Sequence, residues 1–592
     1  MEQNEKIDQT PQQHSTDADV QQESSSSKSR RWPWFWLSVV IVATLVLSFS
    51  TGRIIERNYT KHLVETMSLN MGQYEQGMND FAAEVAAIEQ IISGSDKLMQ
   101  TLFTIRTSYV DPIELDTLYE RVIPAILAEL DPHSEYIPAR VFDQVNESLE
   151  GEFDGIGVVF NAMTDTITVL NVIPRGPSDR AGVRAGDRVI RIDGRDVAGQ
   201  GLAQDSMVKL MRGPRGSEVT LSVKRGSLND LVDITVTRAA IEVHSLTAAF
   251  MLDKEAGIGY IRLSQFSRTS HDEICNALRR LTVEGMKSLI IDLRGNGGGF
   301  LDQAVKIVNE FLNDGELIVY TEDRHGARIN EYADGSGRYT QTPIAVLVDE
   351  ISASSSEILA GAIQDNDRGV IVGRRTFGKG LVQAQLAFND GSAIRLTVAR
   401  YYTPSGRSIQ RPYVNGDEES YRMDLINRIN HHELFSADSI HFDESMKYQT
   451  RGGRTVYGGG GIMPDLFVPL DTTRVSDYYE KVWDTNVLYR YTLDYADRNR
   501  QKLDAVSTLE QLDSLFDSED IIADFVAYAE QHGVHTDNQG LALSRDVIET
   551  QIRAYIGRNI FGDESGYYYN IYPIDDVMQR AVEQLKKGTL NI

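Results

Sequence analysis

Ser354, Lys379 and Gln383 are the residues of this chain whose types and spacing point to covalent chemistry. Ser354 lies in the serine-rich run 352–356, before apolar residues at helical spacing. A serine at a helix N-terminus has backbone N–H donors beside it that can stabilise an oxyanion. Its hydroxyl still needs a base, and a lysine acts as one when desolvation lowers its pKa from about 10.4 to about 7–8. If the chain from Lys379 is extended, Gln383 lies on the same face and could orient a neutral amine.

The same residues also have structural interpretations. Ser354-x-x-Glu357 is a capping-box pattern, so Ser354 could simply cap a helix. Lys379 could be a solvated loop lysine, and Gln383 a polar residue on a half-exposed strand. Spacing alone does not decide, because the serine and the lysine are far apart in sequence.

Two short apolar runs are expected to position the serine and the lysine. Residues 345–348 and 370–372 are rich in β-branched side chains, which is typical of strands buried on both faces of a parallel sheet. The first leads to Ser354 and the second precedes Lys379. Further on, the Asn-Asp-Gly sequence at 389–391 predicts a hairpin turn between Leu386 and Ile394.

Upstream residues continue the same alternation. Strand-like 257–261, a helix over 270–283 and a buried strand over 288–293 form a βαβ pattern. The last strand runs into the glycine-rich loop 295–299. Phosphate binding is the rival interpretation of such a loop, but no Gly-Lys-Ser/Thr follows, so a P-loop is a poor match.

The motifs together resemble one peptidase family. Ser-Ala-Ser-Ser-Ser-Glu at 352–357, Gln-Asp at 364–365 and Thr-Phe-Gly-Lys-Gly-x-Val-Gln at 376–383 closely resemble the carboxyl-terminal processing peptidases, also called tail-specific proteases. The resemblance implies a serine endopeptidase without metal or nucleotide cofactor. In it Ser354 would be the nucleophile, Lys379 the general base and Gln383 the third member of a Ser-Lys-Gln triad. Gly298 and Ser355 would supply oxyanion N–H groups, and Asp365 would give structural support.

A strand-rich region with glycine punctuation precedes the catalytic motifs. The succession of elements over 151–240 resembles a PDZ domain, which adds a peptide as an extra strand and binds its C-terminal carboxylate with loop N–H groups. That loop would contain Gly155, Ile156, Gly157 and Val158. The expected substrates are therefore proteins with apolar C-terminal tails.

The N-terminus predicts membrane attachment. Residues 1–31 form a polar tail that ends in basic residues, and an apolar, uncharged run at 32–50 is long enough to span a bilayer. A cleaved signal peptide is the alternative, supported by the small-x-small triplet at 48–50. With the basic residues on the cytoplasmic side, the catalytic region would face the periplasm from a bacterial inner membrane.

Composition excludes several classes of function. The formal net charge of −27 argues against nucleic acid as a partner, because phosphate binding needs basic patches. The single cysteine, Cys275, is expected to be a buried core residue on the helix 270–283. The histidines show no metal-binding spacing, so no metal site is predicted.

The fold class is therefore expected to be multidomain α/β and α+β. A ClpP/crotonase-like α/β protease core over 241–410 would carry the inserted PDZ domain. The remaining predicted parts are an N-terminal helical region at 58–150, an insertion and return segment at 411–470 and a C-terminal helical domain at 471–592. The sequence assigns no role to this last domain, and formation of a homo-oligomer is one of the roles it could have. The alternative function is a PDZ-bearing adaptor with an inactive protease domain, whose signature would be loss of the serine, the lysine or the glycine loop.

Overall fold

The computed structural model of the protein describes residues 97–588 apart from 162–165, 174, 185, 226–229, 518–519, 559 and 562. The chain divides into two compact units, Met1–Leu115 and Asp116–Ile592. The first unit has a helix over 97–108 in its described part. The tail predicted at 1–31 and the anchor predicted at 32–50 lie outside the described residues. None of the helices described is both long and apolar enough to cross a bilayer.

Two helices and a short strand open the main part of the chain, namely Leu115–Ala128, Glu135–Ile137 and Ala139–Glu150. The second helix ends at Gly151, whose φ of 81° is the left-handed conformation that glycine adopts without a Cβ clash. The helix therefore stops where the strand-rich region begins.

The strand-rich region forms an antiparallel sheet around its own apolar core. Alternating buried side chains, among them Ile167, Leu221 and Val236, face two short helices, Pro177–Ala181 and Gln204–Met211. The two-residue strand Arg195–Asp196 pairs with the strand Arg188–Ile192. Two further strands, Glu152–Gly155 and Ala239–Glu242, pair with each other separately. From one edge to the other, the strands of the sheet are Val158–Asn161, Ile167–Val172, Arg188–Ile192, Glu218–Lys224 and Val232–Thr237.

The serine motif and the glycine-rich loop follow strands of a second, mostly parallel sheet. Its first two strands pair antiparallel and the others parallel, as the continuous apolar runs in the sequence predict. Helices Ser270–Val283, Leu301–Asn309 and Ser355–Asp365 contribute to one apolar core with this sheet. The strands in order are Leu246–Asp253, Ile258–Leu263, Ser288–Asp292, Ile344–Val348, Val370–Gly373 and Leu466–Phe467.

An antiparallel sheet lies beside the parallel one and carries the lysine motif. Its hairpin pairs Leu386 with Ile394 around the turn 389–391, so the predicted hairpin is confirmed. The strands are Glu135–Ile137, Leu317–Asp323, Arg328–Tyr332, Leu381–Ala387 and Ala393–Tyr402.

The segment predicted as a polar insertion at 411–470 contains regular structure. A helix at Glu418–Asn430 begins at Asp417, whose side chain accepts the N–H of Ser420. Short 3-10 turns and a two-stranded ribbon follow at Ala437–Ser439, Glu444–Met446, Lys447–Gln449 and Thr455–Tyr457.

Helices make up the C-terminal region, as its apolar periodicity predicts. Most of them share an apolar core of their own, built around residues such as Tyr491, Phe525 and Ile552. The helices are Asp477–Asp484, Val487–Arg498, Arg500–Leu503, Leu509–Asp517, Ile521–Gln531, Asn538–Arg558, Ser565–Ile571 and Asp576–Lys586, with a 3-10 turn at Tyr572–Ile574.

The last helix, Asp576–Lys586, packs on the parallel sheet instead. Met578 and Val582 join the strand residues Ile290 and Leu347 in one buried cluster. Asp575, which caps this helix, also accepts two hydrogen bonds from Arg294 at the end of a core strand. The last helix therefore covers one face of the parallel sheet.

Met578→Ala is expected to lower the free energy of unfolding by about 2–5 kcal/mol, because it leaves a cavity between the last helix and the sheet. Met578 is fully buried there. Urea unfolding of the full chain measures the effect, with the exposed residue of the same helix, Glu583→Ala, as control. Equal stability of Met578→Ala and the unsubstituted protein would show that this contact does not support the core.

Candidate active site

Ser354 lies at the turn between the strand Ile344–Val348 and the helix Ser355–Asp365. Its φ of 56° with ψ of −115° is unusual for a residue with a side chain. Such backbone strain costs about 1–3 kcal/mol and persists where the surroundings impose it, often at functional sites. The turn therefore holds Ser354 in a conformation that packing alone does not favour.

The other serines of the run hold the turn in place through hydrogen bonds. The hydroxyls of Ser352, Ser355 and Ser356 donate to the carbonyl oxygens of Leu293, Gly299 and Asn296, each at 2.9 Å. These bonds fasten the turn to the glycine-rich loop. Within the part of the chain that the structure describes, no such carbonyl takes up the hydroxyl of Ser354, which leaves its proton available.

The capping interpretation of Ser354 is compatible with this. Glu357 accepts the backbone N–H of Ser354 at 2.9 Å, as the capping-box spacing predicts. A capping serine uses a lone pair of its oxygen and keeps its proton. Capping and nucleophilic attack therefore do not exclude each other.

The glycine-rich loop touches Ser354. A Cβ atom on Gly298 would lie 2.7 Å from that of Ser354, so only glycine fits this approach. The N–H of Ser355 is the first of its helix and has no partner inside the helix. The N–H of Gly298 donates to the Asn296 side chain at 2.9 Å. Of the two predicted oxyanion donors, Gly298 would have to leave Asn296 before it could bind another oxygen.

Lys379 lies between two strands, Val370–Gly373 and Leu381–Ala387, and its amine donates to the Gln383 side chain at 3.1 Å. The amide nitrogen of Gln383 donates to the backbone carbonyl of His133, which fixes the amide so that its oxygen faces the amine. Burial, and secondly the positive charge of Arg395, lowers the pKa of Lys379. The structure therefore brings Lys379 and Gln383 together in a setting that favours a neutral amine.

The backbone carbonyl of His133 accepts the Gln383 amide, and its ring is buried near Lys379. Burial and then the charge of Lys379 lower its pKa to about 4, so its ring is neutral at pH 7. The ring lies 2.9 Å from the Tyr421 hydroxyl, and the loop is held by Asp131, which accepts the N–H groups of His133 and Ser134. The signal available in the sequence was the segment Leu-Asp-Pro-His-Ser at 130–134.

A buried carboxylate joins the serine turn to the lysine loop. Besides the N–H of Ser354, Glu357 accepts the N–H groups of Gly378 at 2.7 Å and Lys379 at 2.9 Å, and the hydroxyl of Thr376 at 2.6 Å. Burial raises the pKa of Glu357, while these hydrogen bonds act in the opposite direction. The hydroxyl of Tyr401 gives a second link. It donates to the backbone carbonyl of Lys379 and lies 3.1 Å from the backbone carbonyl oxygen of Ser354. The spacing Ser354-x-x-Glu357 predicts only a capping role for Glu357.

Asp365 lies at the far end of the same helix, about 16 Å along its axis from Ser354 at 1.5 Å per residue. Its carboxylate pairs with Arg407 at 2.8 Å, and both side chains are fully buried. It also accepts the N–H of Ser405 at 3.2 Å. Asp365 thus lies away from Ser354 and ties the helix to the segment that follows the strand Ala393–Tyr402.

The predicted peptide-binding residues lie at an edge strand. Gly155 ends the strand Glu152–Gly155, Ile156 is buried, and Gly157 has a φ of 73°. Val158 begins the strand Val158–Asn161, which forms one edge of its sheet. These residues therefore form a bend that leads into a strand with one side open.

The prediction that Cys275 is a core residue is wrong, because its side chain is half-buried and contacts Glu310. Burial, and secondly the negative charge of Glu310, raises the pKa of the thiol to about 12. A thiol with so high a pKa is a poor nucleophile at neutral pH.

Ser354→Gly is expected to be more stable than Ser354→Ala by about 1 kcal/mol, because glycine tolerates the positive φ at this turn. At Ser356, inside the helix, the order is expected to reverse, with glycine about 1 kcal/mol less stable than alanine. Thermal unfolding of the four variants tests this. The same order at both positions would show that Ser354 is not strained.

The strained turn at Ser354 and the loop of the buried Lys379 are thus joined through the carboxylate of Glu357. Residues 257–420 match the model of Peptidase family S41, 155–236 match a PDZ domain, and 478–562 match a family of unknown function (DUF8443). The chain belongs to the carboxy-terminal-processing proteases and is a serine peptidase. Its fold is mixed α/β and multidomain, with protease and PDZ domains and a helical C-terminal region.

Two named relatives agree with this membership. The chain is 39% identical over 311 residues to the carboxy-terminal-processing protease of Bartonella bacilliformis. This alignment covers 52% of this chain and 70% of the relative. It is 36% identical over 307 residues to the carboxyl-terminal-processing protease of a Picosynechococcus species, and this alignment covers 51% of this chain and 73% of the relative. Among solved structures, the photosystem II D1 C-terminal processing protease aligns with 26% identity and a TM-score of 0.33 over 63% of this chain and 86% of that one.

Proposed function

We propose that the protein is an endopeptidase that uses Ser354, Lys379 and Gln383 to cleave exported proteins recognised through their C-terminal tails. The observation that carries the proposal is the buried Glu357 carboxylate. It accepts the backbone N–H groups of both Ser354 and Lys379, each at 2.9 Å. A single rigid group thus sets the separation of the nucleophile and the base, which catalysis by this pair requires.

The proposed reaction follows from these positions. The neutral Lys379 amine takes the proton of Ser354 as the serine oxygen bonds to the scissile carbonyl carbon. The carbonyl oxygen becomes an oxyanion that accepts the N–H of Ser355, with Gly298 as second donor once it leaves Asn296. Lys379 then gives the proton to the leaving amine as the C–N bond breaks. A water molecule, deprotonated by Lys379, releases the acyl group and restores Ser354.

The PDZ domain is proposed to select the substrate. An extended tail would pair with the open side of Val158–Asn161, and its carboxylate would bind N–H groups of the bend formed by Gly155, Ile156 and Gly157. Support comes from the edge position of this strand and from the apolar core directly behind it, in which Ile156 is buried.

The remaining parts of the proposal concern the whole chain. We include a ClpP/crotonase-like protease core, the domain limits predicted from the sequence, and an anchor at 32–50 in a bacterial inner membrane with the catalytic region in the periplasm. The apolar run that motivates the anchor is visible in the sequence.

Cleavage of an unfolded protein with and without an apolar C-terminal tag tests the proposal. Ser354→Ala and Lys379→Ala are each expected to abolish cleavage while leaving the circular dichroism spectrum unchanged. The matched controls Ser514→Ala and Lys481→Ala, which change exposed residues of C-terminal helices, are expected to cleave normally.

Each other outcome has a distinct meaning. Equal cleavage by Ser354→Ala and the unsubstituted protein would refute the mechanism. Cleavage that does not depend on the tag would refute the role of the PDZ domain. Tag-dependent binding without any cleavage by the unsubstituted protein would indicate the adaptor.

A further inference from the structure

A second cluster of reactive side chains lies on the helices beside the glycine-rich loop. His271 and Cys275 are one helical turn apart on Ser270–Val283, so both face the same side. Glu310 follows the helix Leu301–Asn309 and meets them there. We propose that these three side chains bind a zinc ion.

The distances between the donor atoms suit a tetrahedral ion. The Nε2 atom of His271 lies 3.2 Å from Oε1 of Glu310 and 3.4 Å from Sγ of Cys275, and Sγ lies 3.3 Å from the same oxygen. Zinc bonds of about 2.0–2.3 Å at tetrahedral angles place such ligands about 3.3–3.6 Å apart. An ion could therefore lie just outside the plane of these three atoms, bonded to all of them, after shifts of a few tenths of an ångström.

The surroundings hold one ligand in place and leave room for a fourth. The second carboxylate oxygen of Glu310 accepts the backbone N–H of Arg338 at 3.3 Å, which directs the first oxygen toward His271 and Cys275. The three side chains line a cavity of about 490 Å³ together with Arg279 and Tyr339. Water or a small anion could complete the coordination from this cavity.

The donor types also favour zinc over magnesium or calcium. Imidazole and thiolate are ligands that zinc prefers, whereas the harder cations take oxygen donors. A thiolate and a carboxylate together balance the charge of a divalent ion. On binding, the Cys275 sulfur would bond to the metal and release its proton to solvent.

Bound zinc would join two helices of the protease core. The helix Leu301–Asn309 begins directly after the loop 295–299 that touches Ser354. A metal bridge at its other end would restrain this helix against Ser270–Val283. We therefore expect zinc to raise the thermal stability of the protein, because it binds the folded state only.

Titration of the full-length, untagged protein with Co²⁺ alone tests the site. Because Cys275 is the only cysteine in the chain, a thiolate-to-cobalt charge-transfer band can report on no other residue. We expect one Co²⁺ per chain with this band, its displacement by Zn²⁺, and a higher melting temperature with Zn²⁺. His271→Asn and Glu310→Gln should weaken Co²⁺ binding by more than the ~10–100-fold that loss of an outer-shell partner costs.

His325→Asn, a change at an exposed histidine, is the matched control and should leave the titration unchanged. Absence of the band at saturating Co²⁺ in the unsubstituted protein would overturn the proposal without any variant. A band whose affinity does not change in His271→Asn would also overturn it, since Cys275 would then bind cobalt by itself.

Discussion

Lys379→Met is expected to reduce kcat by about 10²–10⁴ without lowering the stability of the protein. The variant removes the proposed general base and keeps a side chain of similar length. Burial lowers the pKa of Lys379, so the protonated amine is less favourable in the folded chain than in the unfolded one. At pH values below the pKa that Lys379 has in the folded chain, replacing the charged amine is therefore not expected to destabilise the fold.

The pH dependence gives a sharper test of the same residue. Since the neutral amine is the base, kcat/KM of the unsubstituted protein should rise with pH through the folded pKa of Lys379. Burial lowers that pKa, so the midpoint of the rise should lie below the ordinary lysine value of about 10.4. In Lys379→Met this rise of kcat/KM with pH, the rising limb of the pH profile, should disappear.

Initial rates on a fluorogenic peptide between pH 5 and 10 provide the measurement, with Lys481→Met as the control for a change at an exposed lysine. A variant that keeps both the limb and the rate would show that Lys379 is not the base. A rate that falls together with the melting temperature would instead point to loss of folded protein.

Asp365→Asn is expected to lower the free energy of unfolding by about 3–5 kcal/mol, because it leaves a buried arginine without its ion pair. Arg407 and Asp365 are both fully buried and lie 2.8 Å apart. The same guanidinium donates to Gln364 at 2.7 Å, which limits the loss but does not replace the charge.

The contrast between stability and rate distinguishes structural support from acid-base chemistry. Urea unfolding should show the destabilisation, while kcat per folded molecule and the pH limb should stay unchanged. Asp494→Asn, which breaks an exposed pair with Arg498 at 2.9 Å, should cost less than about 1 kcal/mol. If Asp365→Asn is as stable as the unsubstituted protein but slow, then Asp365 takes part in the reaction and the structural interpretation is wrong.

Local sequence patterns determined most of the elements. The predicted helix 270–283 has the bounds that the structure gives it, because helical periodicity and turn residues are contained within the segment. The buried strand predicted at 345–348 is one residue longer, at Ile344–Val348. Continuous β-branched runs identify such strands without knowledge of their neighbours. Family motifs added the serine and lysine, whose roles remain proposals.

Only the tertiary structure decided which distant residues meet. Nothing in the spacing of Glu357 predicts that its carboxylate holds the lysine loop, since Lys379 reaches it through a different strand. The same holds for His133, whose carbonyl orients Gln383 although it lies 250 residues earlier in the chain. Cys275, expected in the core, contacts Glu310 because two helices pack side by side. Periodicity reports which face of an element is apolar, but partners across elements depend on how those faces pack, and a single sequence does not contain that information locally.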